Sequence, residues 1–378
     1  MTLESKDVVF WLIFTLIVIA PLEMVIGIEI IIYPISIIVL LLCILIEKKI
    51  YIRENAYLIF YLLYALLTCF WSKNNNAIAS SFSTIIMYFL LFLLLQFEYT
   101  EYEFDKFQKA IIIQGIVVLI LCFLFGEYQD ERFWILSRTT GADPNYLSGW
   151  FILPICICVK YFFQQYISIP IKFALMIEVF LALYFVMQSG SRSGVICNLG
   201  AMLFSLYYEL RNIIKKNPII GGIGILASII LVVAICLMLP ETMLYRFRMA
   251  DSNLGGRGAI WEELWRILNN NVAGFLFGMG QGSVTLYTTH RIVAHNTFLD
   301  ILFETGIIGL AFYCVFCFLA LRNAIAKSWI IGIALIANYI LIFTLSSIYM
   351  RPLILMFFVA ACNVCEGDVA FYGKKAST

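Results

Sequence analysis

The segment Ala294-His295-Asn296-Thr-Phe-Leu-Asp300-Ile-Leu-Phe-Glu304-Thr-Gly306-Ile-Ile-Gly309 brings an imidazole, an amide and two carboxylates close together in an otherwise apolar stretch. Asn296, Asp300 and Glu304 are four apart, so on a helix they form one polar stripe. Ionisable groups at membrane depth are costly and are functional candidates by default. His295 sits at the head of this stripe, where a neutral imidazole can accept a proton near neutral pH. The chemistry this suggests is removal of a proton from an attacking hydroxyl, with His295 as base and Glu304 or Asp300 orienting it or standing in for it. The plainer alternative is that the stripe only fixes neighbouring helices.

Arginines supply the complementary charge. Arg257 follows Gly255-Gly256 and opens Arg257-Gly-Ala-Ile-Trp-Glu-Glu-Leu-Trp-Arg-Ile-Leu268. Free N–H groups and the dipole at such a helix start favour an anion, and glycines let backbone approach it closely. Ser189-Gly-Ser-Arg192-Ser-Gly194 is a tight turn that offers Arg192. Arg291 lies four residues before His295, Asp143 stands in Gly141-Ala-Asp-Pro-Asn145 where it can meet a sugar hydroxyl, and Arg351-Pro352 opens a late apolar run. Each also has a structural reading: a glycine turn with a solvated arginine at 257, a simple turn at 192 and at 143, a span boundary at 351.

The elements that must carry these residues follow from composition. Of 378 residues, 63% are apolar and 13% charged, and the mean hydropathy is +0.95. Soluble domains are roughly half apolar and about a quarter charged. The chain is therefore expected to be an all-α polytopic membrane protein embedded in a lipid bilayer. A soluble α/β enzyme, a disordered chain and a secreted disulfide scaffold are excluded, and a net charge of +1 gives no basic field for nucleic acid. The eleven cysteines lie in apolar runs. Two pairs, Cys314/Cys317 and Cys362/Cys365, have zinc-like spacing but no histidine nearby, so they read as apolar filler. No metal or other cofactor is expected.

About twenty apolar residues span a bilayer. Twelve spans are expected, at 8–22, 28–46, 55–71, 79–97, 107–125, 145–163, 170–188, 193–209, 218–239, 297–321, 328–345 and 350–366. The first reads as retained rather than as a cleaved leader. The whole of 1–378 is expected to be one transmembrane domain without internal repeats. Its one long loop, 240–295, lies between spans nine and ten, and long loops in compact proteins are usually functional. Within it Ile260, Trp261, Leu264, Trp265 and Leu268 share a helical face, suited to lying in the membrane interface or capping the bundle.

With both termini inside, the inner side holds 15 basic residues and the outer side 10, which favours that orientation. Twelve of the inner set are lysine and nine of the outer set are arginine. Arginine binds phosphate through a planar fork that lysine lacks. The outer set therefore points to an anionic ligand on the exterior face, with loop salt bridges as the alternative for any single arginine.

Ser-Arg-Ser-Gly at 191–194, Gly-Gly-Arg-Gly-Ala-Ile-Trp at 255–261, Gly-Met-Gly at 278–280 and His-Asn…Glu-Thr-Gly-Ile-Ile-Gly at 295–309 occur in an order that resembles the O-antigen polymerase and ligase superfamily of bacterial envelope glycan synthesis. Asp143-Pro-Asn145 is similar to a segment of its polymerases. The resemblance implies a multi-pass protein of the bacterial inner membrane with its active site facing the periplasm or exterior. It implies oligosaccharide repeats on undecaprenyl diphosphate as substrates, with a flippase and a chain-length regulator as partners. Arg192 and Arg257 match the family's diphosphate-contacting arginines, and His295 matches its loop histidine. Asn296, Asp300, Asp143, Arg291 and Arg351 are then expected to line the substrate. Polymerisation of repeats is the first expectation, ligation of finished glycan to a lipid A core the second. A lipid-linked oligosaccharide flippase is a third reading, from outside enzymology.

Overall fold

A computed structural model describes residues 5–26, 29–47, 52–129, 131–135, 144–216, 239–248, 257–289, 291–345 and 351–365, with isolated positions between 218 and 237. Along the chain run α1 (Ser5–Ile19), α2 (Glu29–Glu47), α3 (Ile52–Thr68), α4 (Ala77–Leu94), β1 (Glu98–Thr100), α5 (Glu101–Phe125), β2 (Gly126–Gln129) and β3 (Arg132–Ile135). Then come α6 (Pro144–Phe162), α7 (Ile169–Gln188), α8 (Arg192–Lys216), α9 (Glu241–Arg248), α10 (Arg257–Asn269), α11 (Val272–Phe277) and α12 (Val284–Tyr287). The last elements are α13 (Thr297–Lys327), α14 (Trp329–Ile342), α15 (Arg351–Ala361) and β4 (Asn363–Cys365).

Helices occupy eleven of the twelve expected spans, and the ninth falls largely outside the described residues. Five helices are long and apolar enough to cross a membrane: Ser5–Met24, Glu101–Phe125, Pro144–Phe162, Ile169–Gln188 and Thr297–Lys327. Several shorter apolar helices pack among them. The side chains show why lipid must cover this surface. In α2, Ile31, Ile35, Ile38, Leu42 and Leu45 recur at spacings of four and three and are all exposed, while Ser36, Leu40 and Cys43 on the opposite face are buried. An exposed apolar stripe of that length is not tolerated in water. At the other extreme α6 is buried on nearly every side from Leu147 to Val159, which makes it the centre of the bundle.

Three expectations need correction. The structure is not purely helical: β1 pairs in parallel with β4, Tyr99 facing Val364, and β2 pairs with β3 as an antiparallel hairpin. The last span is also shorter than expected. Its helix stops at Ala361, because Asn363–Cys365 extends to join β1. The long loop, too, holds more than one amphipathic helix. α9 to α12 all lie within it.

Contacts sort the helix ends into two groups. At one end Ser5 donates to Glu47 (2.8 Å), Lys160 to Gln108 (2.6 Å) and Lys327 to the carbonyl of Ala360 (2.8 Å), and Lys109 pairs with Asp105 (2.6 Å). The β1–β4 ladder closes the same end. The opposite end holds Arg132, Arg192, Arg246 and the 71–74 and 278–282 segments, bound as described below. Lysine thus clusters at one end and arginine at the other, matching the segregation seen in the loops.

Candidate functional site

The turn between α7 and α8 is the centre of the arginine end. Ser189 Oγ donates to the carbonyl of Val186 (2.7 Å) and closes α7. Ser191 Oγ accepts the N–H of Gly194 (3.1 Å), which caps α8. Gly190 between them has φ +66°, a conformation that glycine adopts without penalty. Its missing side chain matters as well. A Cβ there would come within 3.2 Å of Arg132 Cγ and 3.4 Å of Arg246 Nη1, so two guanidinium side chains lie over the bare turn.

Hydrogen bonds fix this group. Arg132 Nε donates to the Ser189 carbonyl (2.9 Å) and its Nη2 to Asn145 Oδ1 (3.2 Å). Arg192 Nη1 donates to the carbonyl of Arg246 (3.1 Å). Three arginines from β3, α8 and α9 therefore meet at one turn. Arg192 was expected; Arg132 and Arg246 were visible only as members of the outer arginine set. The β2–β3 hairpin carries Arg132 back to the turn across more than fifty residues of sequence, and no local spacing encodes that.

A second set of bonds ties this turn to the histidine segment. Thr344 Oγ1 is 2.9 Å from the Oγ of Ser193, the residue after Arg192. The carbonyl of the adjacent Leu345 accepts both the N–H (3.0 Å) and the hydroxyl (2.8 Å) of Thr297. Arg192 and His295 thus belong to the same end of the bundle, joined through the end of α14. His295 itself is half-buried with φ +50°, a strained conformation that persists only where the surroundings impose it. Here they do. Ala294 on one side donates its N–H to Asp300 Oδ1 (3.0 Å), and its carbonyl accepts from Trp261 Nε1 (2.8 Å). Asn296 on the other side caps α13, its Oδ1 accepting the N–H groups of Phe298 and Leu299 (3.1 Å each).

On α13, Asp300 and Glu304 face the long loop, while Asn296 precedes the helix as its N-cap. Glu304 Oε1 accepts the N–H of Gly282 (3.0 Å), and the backbone carbonyls of Phe303 and Glu304 accept from Met279 (2.8 Å) and Gly280 (3.0 Å). α13 breaks at Gly306 (φ +64°), and Gly278 (φ +84°) packs into the break, backbone against backbone. The Gly-Met-Gly and Glu-Thr-Gly motifs are therefore two halves of one interlock. Asp300 and Glu304 spend oxygens on backbone N–H groups of the loop and hold it in place, whereas Asn296 caps α13 itself.

α10 also caps the bundle. Ile260, Leu264 and Leu268 are buried against Leu299, Leu302 and Phe303, whereas Trp265 remains exposed. This packing fixes Arg257 at the start of α10; Gly255 and Gly256 lie outside the described residues. Arg291 is exposed in a turn with φ +53°. Arg351 is the first residue of α15. Asp143 lies outside the described residues, although Asn145 beside it reaches Arg132. Glu178 is buried in mid-bundle on α7, against the space left by Gly115 and near Pro154.

Residues 177–314 match a family model described as O-antigen ligase (Wzy_C). This segment is similar to the domain by which the O-antigen polymerase and ligase superfamily is described. Members of that superfamily are membrane enzymes of glycan transfer, and the chain has the apolar helices of a multi-pass membrane protein. The matched segment contains Arg192, Arg246, Arg257, Arg291, His295, Asn296, Asp300 and Glu304. Arg132, Asn145 and Thr344, which complete the arrangement, come from outside it. No curated protein matches the chain.

Proposed function

We propose that the protein polymerises oligosaccharide repeats carried on undecaprenyl diphosphate, at the outer face of the bacterial inner membrane. The observation that carries this reading is the arginine-lined turn at Gly190 joined, through Ser193–Thr344 and Thr297–Leu345, to the turn bearing His295. In the reaction the acceptor hydroxyl oxygen attacks the anomeric carbon of the donor. The anomeric C–O bond to the diphosphate breaks, its electron pair leaves with undecaprenyl diphosphate, and the hydroxyl proton passes to His295. Arg192, with Arg132, Arg246 and Arg257, stabilises the charge growing on the leaving group. Fixed donors aimed at developing charge are the strongest of the usual catalytic devices. Planar guanidinium forks suit a diphosphate better than ammonium groups. Asp300 and Asn296 hold the histidine turn, and Glu304 anchors the loop behind it. A flippase would deliver the substrate, and a chain-length regulator would set the product.

The test is the glycan ladder from a deletion strain, with the lipid-linked pool extracted in parallel. Polymerase function predicts a single-repeat band on an otherwise intact acceptor. A second reading is ligation of finished glycan to a lipid A core, favoured by the description of the matched family model. It predicts instead that long chains stay lipid-linked and no glycan reaches the acceptor.

A further inference from the structure

A groove of about 440 Å³ opens beside the Gly-Met-Gly interlock, at the arginine end but with none of the three clustered arginines in its wall. Its wall includes Trp71, Lys73, Asn271, Phe277, Met279 and Tyr287. The volume lies within the roughly 300–1,000 Å³ usual for small-molecule sites. Three walls are aromatic, and aromatic faces flanked by polar groups suit amphipathic ligands such as sugar rings.

The groove is held rigid from below. Trp71 Nε1 donates to the Gly278 carbonyl (3.1 Å), Ser72 Oγ to that of Gln281 (2.8 Å) and Asn74 Nδ2 to that of Gly282 (2.9 Å). Gly280, at φ +94°, lets Ser72 close against it. Behind the ring of Tyr287, Phe303 packs edge-on at 5.5 Å. Asn271 Oδ1 caps α11 by accepting the Gly274 N–H (2.9 Å), so only its amide nitrogen is weakly engaged. Asn271 Nδ2 donates only to the sulfur of Met279 (3.4 Å), a poor acceptor that a ligand oxygen can replace. Lys73 is exposed and its Nζ lies 5.7 Å from the Tyr287 ring centroid. Among the described residues no carboxylate pairs with it. It is also the lone lysine among the ten basic residues assigned to this end. A mobile, compact ammonium in an aromatic groove fits one carboxylate on a sugar ring, whereas the arginine turn fits the two-pronged oxygens of a diphosphate.

We propose that this groove is a subsite for a carboxylate-bearing sugar of the glycan, a reading that rests on the glycan-transfer function above. The aromatic residues stack on the sugar rings, Lys73 meets the carboxylate, and Asn271 meets a hydroxyl or ring oxygen.

The experiment uses the full chain in detergent micelles, with tri-galacturonic acid and its neutral methyl ester as probes, read by saturation-transfer NMR. Lys73→Gln alters only an exposed side chain and is expected to fold like the parent. The acid is expected to bind at least tenfold more tightly than the ester. Lys73→Gln should remove that preference and Lys73→Arg should restore it. Equal binding of acid and ester, no binding of the acid, or an unchanged preference in Lys73→Gln overturns the proposal. Farnesyl diphosphate gives a separate arm: its binding should survive Lys73→Gln and fail in Arg192→Ala. Failure of the sugar arm alone removes the subsite. Failure of the diphosphate arm alone removes the arginine clamp and leaves the subsite standing.

Discussion

Thr344 and Ser193 share a hydrogen bond of 2.9 Å across 151 residues of sequence, and this bond links the helix that begins with Arg192 to the strut that holds the His295 turn. The two turns proposed to act on the substrate are thereby referenced to each other. Misplacement of reacting groups by about 1 Å can cost about a hundredfold in rate. Ser193→Ala and Thr344→Val should each lower the rate of glycan extension roughly tenfold while costing only about 1 kcal/mol of stability. The double variant should be no slower than either single one, because both remove the same bond. Additive losses in extension assays would show that the two residues act separately.

Gly190 should tolerate no side chain. Its φ of +66° and the approach of Arg132 and Arg246 both oppose a Cβ. Gly190→Ala is expected to destabilise the protein by about 1–3 kcal/mol and to abolish extension by displacing the guanidinium groups. Thermal unfolding in detergent, paired with the glycan ladder, checks both effects.

His295 allows chemistry and backbone strain to be separated. Asparagine accepts a left-handed φ more readily than most residues, so His295→Asn keeps the turn and removes the imidazole. It should fold like the parent yet lose glycan extension by a hundredfold or more, about the usual contribution of a general base. His295→Ala should lose both activity and some stability. Near-normal extension by His295→Asn would make the histidine a structural residue.

Glu304 should behave as an anchor. Its Oε1 accepts from Gly282, and a glutamine oxygen can accept the same bond. Glu304→Gln is therefore expected to stay within about threefold of the parent in extension rate, whereas Glu304→Ala leaves a part-buried N–H unmet at a cost of about 1 kcal/mol. A proton-transfer role would instead make Glu304→Gln as damaging as Glu304→Ala.

The helices were legible because apolar runs of span length have few alternatives. Part of the stripe on α13 was legible as spacing: Asp300 and Glu304 both turn to the long loop, and Asn296 became the cap of the helix. Spacing alone did not reveal that Asp300 and Glu304 point at backbone N–H groups, since their partners Ala294 and Gly282 lie in a loop with no periodicity. The same limit hid the fit of Gly278 into the break at Gly306. Each glycine reads as a turn until the other is in place. The β1–β4 ladder escaped notice because its three-residue strands are set by the packing of α5 and α15 rather than by β-propensity. Arg132 was hidden for a related reason: a hairpin, not a motif, delivers it to Gly190.

The most direct test of the clamp is release of undecaprenyl diphosphate by the purified full-length protein, reconstituted with lipid-linked repeats and followed by mass spectrometry. The parent protein should release one undecaprenyl diphosphate for each glycosidic bond formed. Arg192→Ala and Arg192→Lys should both release little, because neither restores the guanidinium fork. Release at the parent rate by Arg192→Ala would contradict the assignment of the Gly190 turn as the leaving-group site.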